Sequence, residues 1–279
     1  MEIKEKVFLK CKDYLVSQET FSLIEDEENN MLITYPKPAI ENLDKYYQSE
    51  NYISHTDSKK GLLNKLYQFI KYFALKNKVR LINKHAKGKK DLLDIGAGTG
   101  SFLKVAQKKG WNTYGVEPNQ YARSLAEKRN IKLNENIDNI HKTFDVITMW
   151  HVLEHVYDLD TYILKLNQLL NENGILIIAV PNFESYDAQH YKNYWAAYDV
   201  PRHLWHFSKS SIKKLFNKQN LKVVKIVPML FDSFYVSLLS EKYKTGKMNF
   251  IKAFFIGLKS NFKAKSNLNY SSLIYILKK

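Results

Sequence analysis

The chain has 279 residues, of which 45% are hydrophobic, 25% charged and 14% aromatic. These shares are close to ordinary globular usage, so a sizeable core is expected and wholesale disorder is not. The single cysteine, Cys11, excludes an internal disulfide and a cysteine-based zinc cluster. The net charge of +15 has two interpretations, a nucleic-acid or anionic-membrane surface or lysines spread over solvated faces. The even distribution of the lysines favours the second.

The compartment follows from two patterns. The N-terminal residues MEIKEKVFLKCKDYL lack the apolar run and small-residue cleavage site of a signal peptide. The sequence also lacks the uninterrupted run of about 18 apolar residues that a membrane span needs. We therefore expect a cytoplasmic protein with no transmembrane segment.

The first 60 residues predict a small α+β extension. Two β-prone runs, 21–24 and Met31–Tyr35, flank an acidic turn and indicate a hairpin, and 41–48 can form a short helix. Residues 61–85 have apolar side chains at helical spacing and predict one amphipathic helix. We place the start of the main domain, 61–279, at this helix.

Strands and helices alternate from residue 91. Strands are predicted at Asp91–Ile95, 111–116, 131–133, Phe144–Trp150, 175–180, 221–227 and 270–277. Helices are predicted at 101–109, 120–129, from the end of the fourth strand through Leu170, and at 210–220. Apolar strands alternating with helices predict an α/β fold, with a mostly parallel sheet covered by helices on both faces. Residues 183–207 read as an aromatic lid, and 229–263 as a helical insertion.

A glycine-rich turn follows the first of these strands. Asp94-Ile-Gly-Ala-Gly-Thr-Gly100 places three alternating glycines between a strand and a helix. Glycine permits positive φ and lets a ligand lie against the backbone, and open α/β sheets bind ligands at this end of their strands. The spacing is G-x-G-x-G, whereas the dinucleotide fingerprint is G-x-G-x-x-G. Asp94 would repel a pyrophosphate but could support an ammonium group, and Glu117 can accept ribose hydroxyls.

These motifs resemble those of the class I S-adenosylmethionine-dependent methyltransferases. The matching segments are DLLDIGAGTGSFL (91–103), YGVEPN (114–119), FDVITMWHVLEHV (144–156) and GILIIAVPN (174–182). The resemblance implies a Rossmann-like sheet of seven strands whose last strand, 270–277, is antiparallel. It also implies a cofactor site for S-adenosylmethionine that comprises Asp94, Gly96, Ala97, Gly98, Gly100, Glu117, Pro118, Asn136, Ile137 and Trp150.

The segment HVLEH (151–155) admits several interpretations. It matches the H-x-x-E-H pattern of inverted zinc metallopeptidases, but it follows a buried parallel strand and a complete cofactor loop, which argues against a peptidase. Ubiquinone-pathway O-methyltransferases have E-x-x-E-H here, which can hold a divalent cation. This chain keeps Glu154 and His155 but has His151 at the first acid, so we assign no metal ligand. His151 as a general base and His151 as a packing residue both stay open, and His155 is a further catalytic candidate.

The aromatic lid supplies the acceptor candidates. DVPRHLWHFS (199–208) resembles a segment of one methyltransferase subgroup, whose members often begin with a cysteine-rich zinc ribbon; here only a degenerate ribbon-like segment at 8–35 is expected. Aromatic lids exclude water and align the acceptor with the sulfonium. We predict acceptor contacts for Trp195, Arg202 and His203, with His203 also a catalytic candidate. We expect the Phe250–Phe262 helix to be buried against the domain, with a membrane surface as the alternative.

The leading prediction is O-methylation of a small-molecule acceptor in an aromatic-lined pocket. An RNA methyltransferase is the nearest alternative, which the positive charge supports, although the sequence lacks the N-P-P-Y or D-P-P-Y tetrad of amino-methylating enzymes. A non-catalytic cofactor-binding module and a nicotinamide oxidoreductase are two further alternatives. The aromatic lid argues against the first of these and the glycine spacing against the second. The identity of the acceptor and the oligomeric state do not follow from the sequence.

Overall fold

The computed structural model describes residues 6–47, 62–86, 88 and 90–279, with only the backbone for 62–72. The chain divides into two compact units. The first unit comprises Met1–Ser49, His151–Asp160 and Ala179–Tyr275, and the second comprises Glu50–Trp150, Thr161–Ile178 and Ile276–Lys279. The domain boundary predicted at residue 60 lies outside the described residues and stays a prediction. No described helix is long and apolar enough to cross a bilayer.

The second unit contains the predicted alternation of strands and helices. Its elements begin with helix α1 (Leu62–His85) and continue with β4 (Asp91–Ile95), α2 (Ser101–Gln107), β5 (Asn112–Val116), α3 (Gln120–Glu127) and β6 (Phe144–Trp150). Strand β4 pairs in parallel with β5 and with β6, and Asp94 lies opposite Gly115 on one side and Thr148 on the other. The apolar side chains of β4 and β6 are buried, as expected for strands covered on both faces.

The parallel-dominant sheet has six strands instead of the predicted seven. Their order is β5, β4, β6, β7 (Leu170–Pro181), β10 (Ser272–Lys278) and β9 (Lys222–Pro228), so the last strand of the chain lies between two earlier ones. The strand predicted at 131–133 is reduced to one bridge between Val116 and Asn134. Polar residues follow at once (Asn134-Glu135-Asn136), and an asparagine side chain that bonds the local backbone favours a turn over a longer ladder.

The helix predicted to run from the end of β6 through Leu170 is wrong in its first part. His151 has φ 58, in the left-handed region, and a short 3₁₀ turn spans Leu153–His155 before α4 (Leu159–Leu169) begins. A non-glycine residue at positive φ cannot continue a right-handed helix. His151, Glu154 and His155 therefore lie on a tight turn and not on one helix face.

The first unit contains a four-stranded antiparallel sheet in the order β1 (Val7–Lys12), β2 (Thr20–Asp26), β3 (Met31–Tyr35) and β8 (Trp205–His206). The predicted hairpin is present as β2 and β3, whereas β1 and β8 were not predicted from the sequence. Cys11 on β1 is buried, and burial raises the pKa of its thiol to about 12. The short helix predicted at 41–48 is a 3₁₀ helix over Ile40–Tyr46, and residue 48 lies outside the described range.

The predicted lid segment is an ordered part of this unit. It forms α5 (Tyr186–Tyr191), two 3₁₀ turns (Lys192–Tyr194 and Ala196–Tyr198) and β8, which pairs with β3. Tyr191, Trp195 and Tyr198 share a hydrophobic cluster with Phe21 and Leu23 of β2. This part of the segment is therefore packed core.

Three more helices complete the first unit: α6 (Lys209–Asn217), α7 (Asp232–Thr245) and α8 (Phe250–Asn267). Small side chains form the buried positions of α8, at Ala253, Gly257, Ser260 and Ala264. The expectation that the apolar side chains of 250–262 are buried is wrong, because Phe255 is 61% and Phe262 70% exposed. The short side chains already fill the packed side of the helix.

A buried arginine joins distant parts of the first unit. The Arg202 side chain is 1% exposed and donates to Asp199 through Nε and Nη2, to Asp13 Oδ1 at 2.9 Å and to the Tyr46 carbonyl at 3.0 Å. Hydrogen bonds and the positive guanidinium outweigh burial and hold the pKa of Asp13 below its usual value. The network links the β1–β2 turn, the Ile40–Tyr46 helix and the 199–203 turn.

We expect Arg202→Met to lower the free energy of unfolding by about 3–5 kcal/mol, because it leaves two buried carboxylates without their cation. Urea denaturation of both proteins measures the difference. Exposed Arg80 provides the matched Arg80→Met control, which should stay within about 0.5 kcal/mol of the parent. Equal stabilities for the two variants would show that the buried network contributes no net stability.

Candidate functional site

The glycine turn of the second unit has the backbone that the sequence predicts. Gly96, Gly98 and Gly100 all have positive φ, at 69°, 53° and 69°. The amides of Gly96 and Ala97 donate to the Val116 carbonyl at 2.8 and 3.0 Å, which folds the turn back over β5. A Cβ added at Gly98 would meet no atom within 4 Å. Glycine at 98 is thus required by φ, and the space beside it is open to a ligand.

Glu117 holds this turn in place. Its Oε2 accepts from the Gly98 amide at 2.8 Å, and its Oε1 accepts from the Asn119 amide at 2.9 Å. Arg123 donates to the backbone carbonyls of Glu117 and Pro118 and so fixes the start of α3. Each carboxylate oxygen has a second lone pair, so Glu117 can accept ligand hydroxyls without leaving the turn.

Asp94 is a buried acid at the base of the turn. It is 2% exposed, and its Oδ1 accepts from the Thr148 hydroxyl at 2.6 Å. Burial raises the pKa of Asp94 to about 7, against the opposing effects of the Thr148 hydrogen bond and of Lys78. A bound cation nearby would favour the ionised form, which is what an ammonium group needs.

Trp150 and Asn136 occupy the other predicted cofactor positions. The Trp150 ring packs edge-on against Phe102 at 5.7 Å, and the Lys78 ammonium lies 4.3 Å from the ring centre. Its Nε1 is buried and has no hydrogen-bond partner among the described residues. Asn136 caps a 3₁₀ turn over Ile137–Asn139 through its bond from the Asp138 amide.

These residues fit S-adenosylmethionine. The open space at Gly98, the two-oxygen acceptor Glu117, the buried acid Asp94 and the unbonded Trp150 N–H are all in the second unit. Buried donors without a partner are rare in proteins and point to a missing ligand or water. The predicted cofactor residues thus have a chemistry that suits S-adenosylmethionine, and their contacts with it stay a prediction.

The predicted catalytic histidines lie in the first unit. His151 bonds Glu154 Oε1 through Nδ1 at 3.2 Å and Asp232 Oδ2 through Nε2 at 3.1 Å. Burial alone would lower the pKa of His151, but the two carboxylates outweigh burial and raise it well above its usual value. As a base, His151 would have to exchange one of these carboxylates for its substrate.

His155 and His203 have their tautomers fixed by backbone carbonyls. Nδ1 of His155 lies 3.0 Å from the Arg202 carbonyl, and Nδ1 of His203 lies 2.9 Å from the Ala197 carbonyl. Because a carbonyl oxygen only accepts, both Nδ1 atoms donate, and in a neutral ring this arrangement leaves the lone pair on Nε2. Burial and the neighbouring His203 lower the pKa of His155 to about 4, so its ring is neutral at pH 7.

Glu154, His155 and His203 form a candidate metal centre. One ligand atom from each lies within 4.8 Å of the others, and Glu154 Oε2 is buried with no partner among the described residues. Neutral imidazole held by a carbonyl on its other nitrogen is the usual form of a metal-binding histidine. A tetrahedral zinc site needs ligand atoms about 3.4 Å apart, so an ion would draw these side chains inward.

Two of the residues predicted to contact the acceptor, Trp195 and Arg202, form structural hydrogen bonds. Trp195 is 2% exposed and donates its indole N–H to Asp187, and every bond of Arg202 goes to the protein interior. Both line an aromatic cavity of about 10 Å³, which holds a single water molecule at most. These bonds give Trp195 and Arg202 a structural role, and acceptor contact for Trp195, Arg202 and His203 stays a prediction.

Asp232 and Thr148 were not predicted from the sequence. Asp232 is 81 residues from His151 and opens α7, so no local pattern could link the two. Thr148 lies within the recognised strand β6, opposite Asp94 in the parallel register. A threonine facing an acid across two parallel strands was a signal that the predicted strand pairing could have supplied.

The fold and the cofactor turn together define a class I S-adenosylmethionine-dependent methyltransferase. A family model described as "Methyltransferase domain" matches residues 64–226, more than half of the chain. The chain therefore belongs to this methyltransferase family, whose cofactor is S-adenosylmethionine.

Two relatives are named as ubiquinone biosynthesis O-methyltransferases. The one from Pelagibacter ubique is 32% identical over 125 residues, which is 41% of this chain and 52% of the relative. The mitochondrial one from Bos taurus is 27% identical over 186 residues, covering 58% of this chain and 50% of the relative. The chain thus spans about half the length of these relatives.

Solved structures show the same fold at low identity. Magnesium protoporphyrin IX methyltransferase from Synechocystis PCC 6803, with bound S-adenosylhomocysteine, has a TM-score of 0.55 at 12% identity, over 84% of this chain and 97% of that one. A cyclopropane synthase from Mycobacterium tuberculosis has a TM-score of 0.52, also at 12% identity, over 73% and 83%. At this identity the likeness establishes the fold alone.

Asp94→Asn should change how stability depends on pH. The folded protein keeps the Asp94 proton up to a pKa of about 7, whereas an unfolded aspartate loses it near pH 4. The parent therefore loses up to about 1.4 kcal/mol of unfolding free energy per pH unit between those values, and the variant does not. Urea denaturation from pH 4 to 7 should show the advantage of Asp94→Asn growing with pH. Exposed Asp44→Asn is the control, and a constant difference would contradict the assignment.

The metal centre predicts a single site for a transition-metal ion. Calorimetric titration with Zn²⁺ or Mn²⁺ should give a stoichiometry near one, which His203→Ala reduces by at least about tenfold in affinity. Exposed His141→Ala is the matched control. Unchanged affinity in His203→Ala would remove this residue from the ligand set.

Proposed function

We propose that the protein methylates a hydroxyl oxygen of a small-molecule acceptor. Oxygen is proposed as the acceptor atom because the chain is 32% identical to an O-methyltransferase. The fold alone does not identify the acceptor atom, since enzymes of other chemistries share it. The cofactor part rests on the glycine turn with Glu117 and Asp94. The acceptor pocket predicted as aromatic-lined remains part of the proposal.

The hydrogen bonds of the site residues indicate which of them would bind the cofactor and which would transfer a proton. Bound S-adenosylmethionine supplies an electrophilic methyl group on its sulfonium. The open turn at Gly98 and the Glu117 carboxylate bind and orient the cofactor, and Asp94 favours its ammonium end. A hydroxyl acceptor has to lose its proton during transfer, so an acid–base residue near it raises the rate.

His151 is our proposed acid–base residue. It follows Trp150 of the cofactor set directly in the chain, and its ring nitrogens are fixed by Glu154 and Asp232. A carboxylate on each side orients the ring and favours its protonated form, so His151 acts as a base only where a bound acceptor replaces one of these carboxylates. His155 and His203 have rings oriented by backbone carbonyls and stay secondary candidates.

The proposal is tested by measuring S-adenosylhomocysteine formation with phenols and catechols, aliphatic alcohols, amines and bulk RNA as acceptors. We expect turnover with hydroxyl compounds. Turnover with RNA alone would favour the nucleic-acid alternative, and cofactor binding without turnover of any acceptor would favour a non-catalytic module.

His151→Asn separates catalysis from binding. Asparagine tolerates the left-handed backbone at this position, so the fold should persist. We expect turnover to fall by about a hundredfold or more and S-adenosylmethionine affinity, measured by calorimetry, to change by less than about twofold. His141→Asn on the surface is the control. Equal losses of turnover and cofactor affinity would refute a catalytic role for His151.

A further inference from the structure

Helices α7 and α8 pack through small side chains, and α8 leaves most of its large side chains exposed. Ser233, Ser237 and Ser240 are the small buried residues of α7, and they correspond to the alanines, glycine and serine buried on α8. The backbones come close, since a Cβ added to Gly257 would lie 3.0 Å from the Phe234 Cα and N atoms. Small residues at a helix contact let the two backbones approach closely.

The outside of this helix pair is apolar. More than half of the large apolar side chains that are exposed in the described chain lie within 230–268. We call this surface the α7–α8 apolar face; its residues are Leu230, Phe231, Tyr235, Met248, Phe250, Ile251, Phe254, Phe255, Leu258, Phe262 and Leu268. Exposed large apolar side chains concentrated in one segment in this way indicate an interaction site.

The exposed residues of α8 lie on one side of the helix. Phe250, Phe254 and Leu258 recur every four residues, and Ile251, Phe255 and Phe262 lie beside them at the helical repeat. Exposure reaches 74% at Ile251 and 70% at Phe262. The helix therefore turns an aromatic stripe outwards and a small-residue stripe inwards.

The charge around this face is positive. Lys252, Lys259 and Lys263 follow one flank of the stripe at spacings of seven and four residues. Asp232 of the same segment bonds His151, whereas Glu241 is buried 3.0 Å from the Lys252 ammonium and offsets its charge, so Lys259 and Lys263 carry the net charge of this flank. Lys242, Lys244 and Lys247 add further positive charge at the α7–α8 turn.

We propose that the α7–α8 apolar face docks the protein on the surface of an anionic lipid bilayer. An aromatic stripe flanked by lysines is the pattern of a helix that lies in the interface, with rings among the acyl chains and ammonium groups at the phosphates. A second copy fits less well, since each chain carries a net charge of +15 and would bring lysines against lysines. Because no described helix is able to span a bilayer, the contact is peripheral.

Vesicle flotation of the full chain tests the proposal. Vesicles of phosphatidylcholine with phosphatidylglycerol should carry the protein upwards, and vesicles of phosphatidylcholine alone should carry much less. Phe255→Gln with Phe262→Gln should reduce binding by at least about tenfold, and Lys259→Glu with Lys263→Glu should remove the preference for anionic lipid. The matched controls are Tyr121→Gln with Val224→Gln, which are exposed elsewhere, and Lys108→Glu with Lys109→Glu.

Two results would overturn the proposal. One is equal flotation of the phenylalanine variant and its control, with circular dichroism showing that both are folded. The other is a concentration-dependent dimer that Phe255→Gln with Phe262→Gln dissociates, which would assign the face to a second copy of the chain. Neither result depends on S-adenosylmethionine, so the proposed function is tested separately.

Discussion

The guanidinium of Arg202 is the interaction on which the first unit depends. It connects Asp13 near the N-terminus, the carbonyl of Tyr46 and the turn at Asp199, three places that are far apart in sequence. The backbone carbonyl of the same residue accepts from His155, and the next residue is His203. The positions of both histidines in the candidate metal centre thus follow from one buried charge that has to be neutralised.

The geometry of the glycine turn was predictable from the sequence because it is local. Gly96, Gly98 and Gly100 act through backbone geometry, which glycine alone adopts without strain, so the residue type and its spacing carry the information. Strands β4 and β6 were equally clear, since strands buried on both faces are continuous apolar runs. The strand predicted at 131–133 is shorter than expected, because an apolar pattern over three residues is not enough to establish pairing along a whole strand.

The features that could not be predicted from the sequence depend on contacts between residues that are far apart in the chain. Arg202 lies in an aromatic segment and was therefore predicted to contact the substrate. Its partner Asp13, which is 189 residues earlier in the chain, is identified only by the structure. The same holds for the 250–262 helix, where periodicity showed an apolar side but not which side would be packed. The helix that packs against it has serines at the contact, so the short side chains of the 250–262 helix are buried there and its phenylalanines are exposed.

His151 has a consequence for charge balance. With glutamate at this position, as in the E-x-x-E-H pattern, the turn would bring three mutually repelling carboxylates close to one another, those of the new glutamate, Glu154 and Asp232. A diffusible cation would then be needed to neutralise them. The imidazole instead supplies a counterion that is covalently part of the chain. Its neutralising charge is present whatever the supply of metal, and a chelator cannot remove it.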